Sequence, residues 1–305
     1  MRADLLHVVT CVANPRRWAS RLALYRRFAA HMVASGVPLT VVECAHGDRP
    51  FDCDGIAGVA HVGVRARTLL WVKENLLNIG IARLPQDWKY VAWIDADIAF
   101  RRPDWAAETV HALQQYDIVQ PWADCYDLGP NDAHLDAHRS FARQWATRQP
   151  IGDAASPYRF AHPGYAWAAT RQALDHLGGL IETAALGAAD HHMALGLIGR
   201  AAASFPGGIS EGYRHPVLEW QARAERHIAG NVGFVPGTIE HAWHGPKGAR
   251  AYVERWDILT RHGFDPATDL KRNVWGVYEL VGNKPELRRD LDLYFRARNE
   301  DANTL

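Results

Sequence analysis

The chain has 305 residues with 34 basic and 34 acidic side chains, so its formal net charge is zero at pH 7. A balanced charge argues against a global field that recruits nucleic acid or a membrane surface. No run of about 18 apolar residues occurs, and the four cysteines show no CxxC spacing. We therefore expect no membrane span, reduced thiols and a cytoplasmic protein of a bacterium or a virus-infected host cell.

Strand, helix and strand patterns alternate through the first part of the chain. Residues 5–12 are apolar and predict a buried strand, a helix follows from Asn14-Pro15 to about Ser35, and 39–45 predict the next strand. The short joints indicate a right-handed parallel βαβ unit. The pattern then predicts a strand at 59–64, a helix at 68–82, a strand at 89–94, a helix at 103–116 and a strand at 117–121.

The second half of the chain is less regular. Residues 124–160 are polar, and we expect one helix there, at about 134–147. The later elements predicted are a strand at 162–170, a short helix from Thr170 to Gly178, helices at 188–198 and 216–228, a strand at 237–243, and helices at 247–262 and 284–298. We interpret the chain as one α/β domain over residues 1–245, with a C-terminal helical extension, 246–305, packed on it.

The most informative motif is Asp95-Ala96-Asp97, directly after the predicted strand 89–94. Side chains at positions i and i+2 leave the same face of a strand, so both carboxylates would point the same way. Two buried like charges are costly unless a cation lies between them. Oxygen ligands suit Mg²⁺ or Mn²⁺. The motif therefore predicts a divalent-cation site at the end of this strand.

Two common nucleotide-binding motifs are missing from the sequence. No GxGxxG follows the first strand, and no GxxxxGK[ST] occurs. This disfavours a dinucleotide-type Rossmann site and a P-loop. A nucleotide would have to be held by other means, and a metal ion between two carboxylates and a pyrophosphate is such a means.

Four blocks of sequence together resemble GT-A fold glycosyltransferases, which use nucleotide-sugar donors. The blocks are the DxD at 95–97, KENLLNIG at 73–80, HPGYAWAATRQALDHLGGL at 162–180 with AADHHMALGLIG at 188–199, and HAWHGPKGARAYVERW at 241–256. The second block is similar to a helix of β-1,4-galactosyltransferase-like enzymes. The resemblance implies a Rossmann-like, mixed and mostly parallel central sheet flanked by helices. It also implies sugar transfer from a UDP-sugar with Mn²⁺ or Mg²⁺, with inversion.

The resemblance implies a set of metal ligands as well. Asp97 would touch the metal directly, and Asp95 would reach the ribose or the metal. A late histidine would supply the third ligand. Strand alternation puts His241 and His244 on opposite faces, so only one of them can point at the site. We favour His244, at the strand end, with His241 as the alternate and a core histidine as the competing interpretation.

Further site residues follow from position in that fold. Asp190 would be the base that takes a proton from an acceptor hydroxyl, unless it only caps the helix after it. The predicted donor-binding residues are Thr10, Asn14, Arg21, Arg67, Lys73, Asn78, Asp95, Lys247 and Arg250. The predicted acceptor-binding residues are Gly164, Tyr165, Trp167 and His191.

Two other classes of protein stay open at this point. A haloacid-dehalogenase-like phosphohydrolase also carries DxD after a strand and would use Asp95 as its nucleophile. A non-catalytic sugar-binding domain would keep the scaffold without turnover. The acceptor is also open, and it could be a glycan, a small molecule or a hydroxymethylated DNA base. A base of this kind could be flipped out of the duplex and stack on the arginine and aromatic side chains within residues 139–171. The sequence does not predict the oligomeric state.

Overall fold

The computed structural model describes residues 2–151 and 161–302. Its strands are β1 (Leu6–Ala13), β2 (Leu39–His46), β3 (Val59–Ala66), β4 (Tyr90–Ile94), β5 (Ile98–Phe100), β6 (Ile118–Gln120), β7 (Asp124–Leu128), β8 (His134–Arg139), β9 (Ala166–Thr170), β10 (Val232–Phe234), β11 (Thr238–His241), β12 (Leu270–Arg272) and β13 (Tyr278–Leu280).

The described α-helices vary from one turn to more than four turns. They are α1 (Ala19–Ala34), α2 (Lys73–Ile81), α3 (Trp105–Ala112), α4 (Phe141–Ala146), α5 (Arg171–Leu177), α6 (Ala189–Gly196), α7 (Glu211–His227), α8 (Arg255–Arg261), α9 (Pro266–Asp269) and α10 (Pro285–Ala297). Short 3₁₀ turns occur at Ala3–Leu5, Pro130–Asp132, Ala201–Ser204 and Lys247–Arg250. None of the described helices combines the length and apolar composition that a membrane crossing requires.

The central sheet has seven strands in the order β10-β6-β9-β4-β1-β2-β3. Neighbouring strands are parallel except at β9, which is antiparallel to both β4 and β6. The predicted fold class, a mixed and mostly parallel sheet flanked by helices, is therefore confirmed. The carboxyl ends of β1 and β4 lie side by side, which is where open α/β sheets form their binding crevices.

Helices cover both faces of this sheet, so its strands are apolar on both sides. Val8 belongs to one hydrophobic core with Tyr25 and Phe28 of α1, while its neighbour Val9 belongs to the other core with Leu76 of α2. Helix α2 comes very close to the sheet at Gly80, where an added Cβ would lie 2.6 Å from Val9 Cγ1. The KENLLNIG block thus fixes the helix that leads into the site.

A second, four-stranded sheet in the order β5-β11-β7-β8 was not predicted. Strand β5 starts one residue after Asp97, and the Ala242 amide donates a hydrogen bond to the Asp97 carbonyl, 2.9 Å away. The predicted helix at 134–147 was wrong over its first half, because residues 134–139 pair antiparallel with β7 as strand β8. Ser140 then caps α4 by accepting a hydrogen bond from the Arg143 amide. Residues 152–160 of the predicted irregular segment lie outside the described residues.

Several predicted helix boundaries also change. Helix α2 begins at Lys73, and residues 68–72 precede it as an irregular segment. Helix α7 begins at Glu211, since the Ser210 hydroxyl caps it, and the helix continues through Pro216 in its second turn. The helix predicted over 247–262 is interrupted at Ala251, whose φ of 44° is left-handed, and only α8 follows.

The C-terminal part contains a two-stranded sheet, β12 and β13, besides the predicted helices. The Asn75 side chain of α2 accepts a hydrogen bond from the Tyr278 amide and donates one to the Gly276 carbonyl. Leu287 and Leu291 of α10 belong to the same hydrophobic core as Leu76. A domain boundary at residue 245 stays a prediction, and residues on both sides of it build one core.

Candidate active site

A cleft of about 1070 Å³ opens at the carboxyl ends of β1 and β4. Thr10 of β1 lines its floor, and its hydroxyl donates a hydrogen bond to the Ile94 carbonyl at the end of β4, 2.7 Å away. The DxD motif follows immediately, so both aspartates enter the cleft from its floor. Lys247 and Arg250 also line the cleft, and Arg250 lies beside His244.

Asp97 and two histidines form the tightest polar cluster in the cleft. His244 Nε2 lies 3.1 Å from Asp97 Oδ2, His241 Nε2 lies 3.9 Å from the same oxygen, and the two ring nitrogens are 3.1 Å apart. Asp97 Oδ1 is buried and has no hydrogen-bond partner among the described residues. A buried carboxylate oxygen without a partner is costly. One carboxylate and two imidazoles are a donor set that Mn²⁺ accepts, so the residues fit a divalent cation.

The expectation that only one of the two histidines faces the site was wrong. Strand β11 ends at His241, so residues 242–244 do not continue its alternation. The chain turns there, and His244 comes back beside His241 with its ring nearly perpendicular, at 86°. Both rings therefore face Asp97, which a strict two-residue period cannot produce.

The charges around this cluster keep Asp97 ionised. Burial alone would raise the pKa of Asp97, but hydrogen bonding to His244 and the nearby His241 and Arg21 hold it well below its usual range. Burial and the Arg250 cation lower the pKa of His244 to about 4, so this imidazole is neutral at pH 7. Arg250 Nη2 lies 2.8 Å from His244 Nε2, so the guanidinium and a metal ion would compete for that nitrogen.

Asp95, the first aspartate of the motif, has a different partner. Lys73 Nζ at the start of α2 lies 2.5 Å from Asp95 Oδ1. The Asp95 amide donates to the Tyr165 carbonyl at 2.8 Å, which holds the motif against β9. Burial would lower the pKa of Lys73, but the charges of Asp95, Glu74 and Asp190 outweigh it and raise that pKa. Lys73 is therefore a fixed cation inside the cleft.

Asp127 of β7 is a central residue that the sequence did not single out. It is buried, and its Oδ1 lies 2.7 Å from His241 Nδ1 and accepts a hydrogen bond from the Tyr165 hydroxyl at 2.9 Å. Its Oδ2 lies 2.6 Å from His138 Nε2 and forms an ion pair with Lys247. By binding Nδ1, Asp127 orients the His241 ring so that Nε2 faces Asp97.

Asp190 lies in the first turn of α6 and lines the cleft. Its Oδ1 accepts a hydrogen bond from the His191 amide at 2.8 Å, and its Oδ2 lies against Gly164, where an added Cβ would be 2.9 Å away. The alternative role as a helix cap is not supported, because the N-cap position belongs to Ala188. The Asp190 carboxylate is thus presented to the cleft rather than used to terminate a helix.

The C-terminal segment forms one wall of the cleft. Arg21 Nε and Nη2 donate to Glu300 at 2.8 and 2.7 Å, and Arg298 Nε donates to the same carboxylate at 2.6 Å. Burial alone would raise the pKa of Glu300, but the two arginines lower it to about 2. Asp301 accepts hydrogen bonds from the Ala19 and Ser20 amides, which have no partner within α1 because they lie in its first turn.

Most of the predicted site residues line this single cleft. Those that do are Thr10, Arg21, Lys73, Asp95, Asp97, Gly164, Tyr165, Asp190, His191, His241, His244, Lys247 and Arg250. Four others do not line it: Asn14, Arg67, Asn78 and Trp167.

The predicted roles of these four residues are therefore wrong, and the local surroundings of each residue explain its position. The Asn14 amide is used in a turn, since its Oδ1 accepts from the Trp18 amide and its Nδ2 donates to the Trp18 carbonyl. Asn78 binds both backbone groups of Leu180. Trp167 is a core residue whose Nε1 donates to the Pro163 carbonyl, and Arg67 is exposed outside the cleft.

No protein-family model and no curated protein matches the sequence. In structure, the chain is similar to GT-A nucleotide-sugar transferases. A Drosophila β1,4-galactosyltransferase 7 mutant in complex with manganese, UDP-Gal and xylobiose is 12% identical, with 92% of this chain and 97% of that chain covered and a TM-score of 0.41. The catalytic domain of that enzyme with xylobiose matches over 62% of this chain and 59% of its own, with 14% identity and a TM-score of 0.32.

Two bacterial proteins give matches of the same kind. S. aureus TarS 1–349 in complex with UDP-GlcNAc is 10% identical, with 81% of this chain and 61% of that chain covered and a TM-score of 0.43. Glucosyl-3-phosphoglycerate synthase from Mycobacterium tuberculosis, with Mn²⁺, UDP and phosphoglyceric acid, is 14% identical, with 85% and 75% covered and a TM-score of 0.40. These likenesses concern the fold alone.

Proposed function

We propose that this chain is a metal-dependent glycosyltransferase that moves a sugar from a nucleotide-sugar, a UDP-sugar in the first instance, to an acceptor hydroxyl with inversion. One observation carries the proposal. Asp97 places Oδ2 beside two imidazoles and leaves Oδ1 buried without a hydrogen-bond partner among the described residues, in the same cleft that Asp190 lines. A cation-binding group and a separate carboxylate base are the two parts that such a transfer needs.

The donor side would be built by Asp97, His241 and His244. When Mn²⁺ or Mg²⁺ is bound there, it supplies positive charge for the diphosphate that leaves. Arg250 and Lys247 add cations of the chain itself on the same side of the cleft. Fixed positive groups placed where negative charge develops lower the barrier, because they need no reorganisation during the reaction.

The acceptor side would be built around Asp190. Its carboxylate would take the proton from the acceptor hydroxyl as the oxygen attacks the anomeric carbon. Inversion needs this base on the face opposite the leaving group. Tyr165 and His162 stack with ring centroids 4.0 Å apart beside the Asp190–Gly164 contact, which keeps this side of the cleft rigid.

The deciding experiment incubates the purified protein with a panel of nucleotide-sugars, Mn²⁺ and hydroxyl acceptors, and follows transfer and donor hydrolysis. We expect turnover that chelation abolishes and that Asp190→Asn lowers by about 10²–10⁴-fold without loss of donor binding. Asp104→Asn is the matched control, since Asp104 is exposed, pairs with Arg102 and does not line the cleft. A phospho-aspartate trapped at Asp95 would instead indicate the phosphohydrolase, and donor binding without any turnover would indicate a binding domain.

A further inference from the structure

A buried carboxyl in the cleft has no role in the reaction described so far. Glu74 lies in the first turn of α2, lines the cleft and is only 4% exposed. Among the described residues, no other residue donates a hydrogen bond to its carboxyl. Its own backbone amide is the hydrogen-bond donor beside it, so most of the acceptor capacity of this carboxyl is open to a ligand in the cleft.

The other buried glutamates show how unusual this is. The Glu43 carboxylate accepts from the Asp52 and Cys53 amides, at 2.6 and 3.0 Å. Glu279 accepts from the Arg67 amide at 2.7 Å, and Glu300 binds Arg21 and Arg298. Each of those three side chains therefore stabilises the fold through its own partners. Glu74 alone among the four faces the cleft without such bonds.

Glu74 and Asp190 line the same cleft. Lys73, the residue before Glu74, pairs with Asp95, and the charges of both Glu74 and Asp190 act on it. Burial raises the pKa of Glu74 to about 7, with the charge of Asp190 adding to the effect and that of Lys73 opposing it. A carboxyl with this pKa can either accept a hydrogen bond from a ligand hydroxyl or donate one to it near neutral pH.

The wall beyond these carboxyl groups is apolar. Phe205, Pro206 and Trp256 line the cleft together with Asp190. Phe205 and Trp256 both pack around His192, with ring centroids 5.5 and 5.8 Å from it. An aromatic wall next to two carboxyl groups matches a saccharide, which has an apolar ring face and hydroxyl groups along its edge.

We infer that Glu74 is an acceptor-positioning residue, and that the acceptor is a saccharide whose two neighbouring hydroxyls bind Asp190 and Glu74. This inference rests on the proposed function. In the transfer, the hydroxyl facing Asp190 forms the new bond to the anomeric carbon and gives its proton to Asp190. The bond between that carbon and the donor oxygen breaks, and its electron pair leaves on the nucleoside diphosphate. Glu74 holds the second hydroxyl and takes no part in the covalent step.

The test compares the wild type with Glu74→Ala and Glu74→Gln, using Mn²⁺, the best UDP-sugar and p-nitrophenyl pyranosides as acceptors. Glu74→Ala should raise the acceptor KM about tenfold, with donor hydrolysis and UDP binding unchanged, and Glu74→Gln should recover part of the loss because its amide still hydrogen bonds. Glu219→Gln, on the exposed face of α7, is the matched control.

Monodeoxy acceptors test the inference without any change to the protein. With the wild type, removal of one hydroxyl beside the reacting one should raise KM about tenfold, and with Glu74→Ala the same removal should cost nothing further. Equal penalties in both proteins would overturn the role of Glu74. Transfer to hydroxymethylated DNA but to no pyranoside would overturn the proposal of a saccharide acceptor and leave the proposed glycosyltransferase activity intact. The absence of both transfer and donor hydrolysis would reject the proposed function itself.

Discussion

The Lys73 ammonium lies 2.5 Å from Asp95 Oδ1, so the first aspartate of the motif already has a cation supplied by the chain. The second aspartate does not, since Asp97 Oδ1 is buried without a hydrogen-bond partner among the described residues. The two carboxylates that appear equivalent in the sequence therefore have different electrostatic needs. Asp97 is the one that an added divalent cation would satisfy.

This difference predicts unequal effects on metal affinity. Asp97→Asn should weaken Mn²⁺ binding by about 100-fold or more, because it removes the charged ligand of the cluster, whereas Asp95→Asn should weaken it by less than about tenfold. Electron paramagnetic resonance of free Mn²⁺ during titration of the protein measures both affinities. Equal losses in the two variants would show that Asp95 binds the metal despite Lys73.

The contact between Gly164 and Asp190 predicts the effect of one added methyl group. In Gly164→Ala the new Cβ would lie 2.9 Å from Asp190 Oδ2 and 3.0 Å from His162 Cε1, so the carboxylate must move. The contact is relieved by a shift of a few tenths of an ångström, which is less than the displacement on the order of 1 Å that costs about 100-fold in turnover. We expect kcat to fall by about tenfold while binding of Mn²⁺ and UDP stays unchanged, as measured by steady-state kinetics and calorimetry.

Gly207→Ala is the matched control for that variant. Neither glycine has a positive φ, and an added Cβ at Gly207 meets no atom within 4 Å. Its kcat should equal that of the wild type. If both alanine variants lost activity alike, the loss would come from the backbone and not from Asp190.

The buried carboxyl of Glu74 predicts a stability change that depends on pH. Its pKa of about 7 in the folded protein exceeds the ordinary value of 4.5, so the folded state binds the proton more tightly than the unfolded state. The wild type should therefore lose stability as the pH rises from 4.5 to 7, by at most about 3 kcal/mol. Glu74→Gln, which stays neutral, should be more stable than the wild type at pH 8 and equal to it at pH 4, as measured by urea unfolding.

Glu43→Gln provides the contrast, because Glu43 is buried but accepts hydrogen bonds from two backbone amides. The glutamine side chain has only one oxygen and cannot accept both hydrogen bonds, so Glu43→Gln should be less stable than the wild type at pH 8. A destabilised Glu74→Gln at pH 8 would mean that Glu74 has a structural partner in solution.

Glu300 predicts the opposite pH dependence. Its pKa of about 2 in the folded protein lies below the ordinary 4.5, so its stabilising effect is complete above pH 4.5 and is lost as the pH falls towards 2. Glu300→Gln should cost about 3 kcal/mol at pH 7, and the difference from the wild type should shrink between pH 4.5 and 2. Urea unfolding at a series of pH values measures it.

The exposed Glu286, which pairs with Arg289 on the surface, supplies the control for Glu300. Glu286→Gln should change the unfolding free energy by less than about 1 kcal/mol, since surface ion pairs contribute little. A constant deficit of Glu300→Gln across the acid range would indicate that packing, and not charge, explains the effect.

The sequence predicted those parts of the site that depend on local pattern. An apolar strand followed by Asp95 and Asp97 is a local signal, and the position of Lys73 at the start of a helix is another. The parallel arrangement follows from short strand–helix joints. These signals needed no knowledge of distant contacts, and they predicted that Lys73, Asp95 and Asp97 lie in one cleft, as they do.

What the sequence missed depends on pairing between distant segments. Asp127 meets His241 because β7 pairs with β11, and the two residues are 114 positions apart. The helix expected at 134–147 failed for the same reason, since pairing with β7 overrides the local preference of that segment. The opposite-face assignment of His241 and His244 failed because the strand ends earlier than its apolar pattern indicates.

The wall that Arg21 and Glu300 build together has a consequence for biosynthesis. The two residues are 279 positions apart, and the amides at the start of α1 are satisfied by Asp301. A growing chain on the ribosome therefore carries an uncapped start of α1 until residue 301 has been made. Contacts of such high sequence separation are slow to form, so we expect this wall of the cleft to form late in folding.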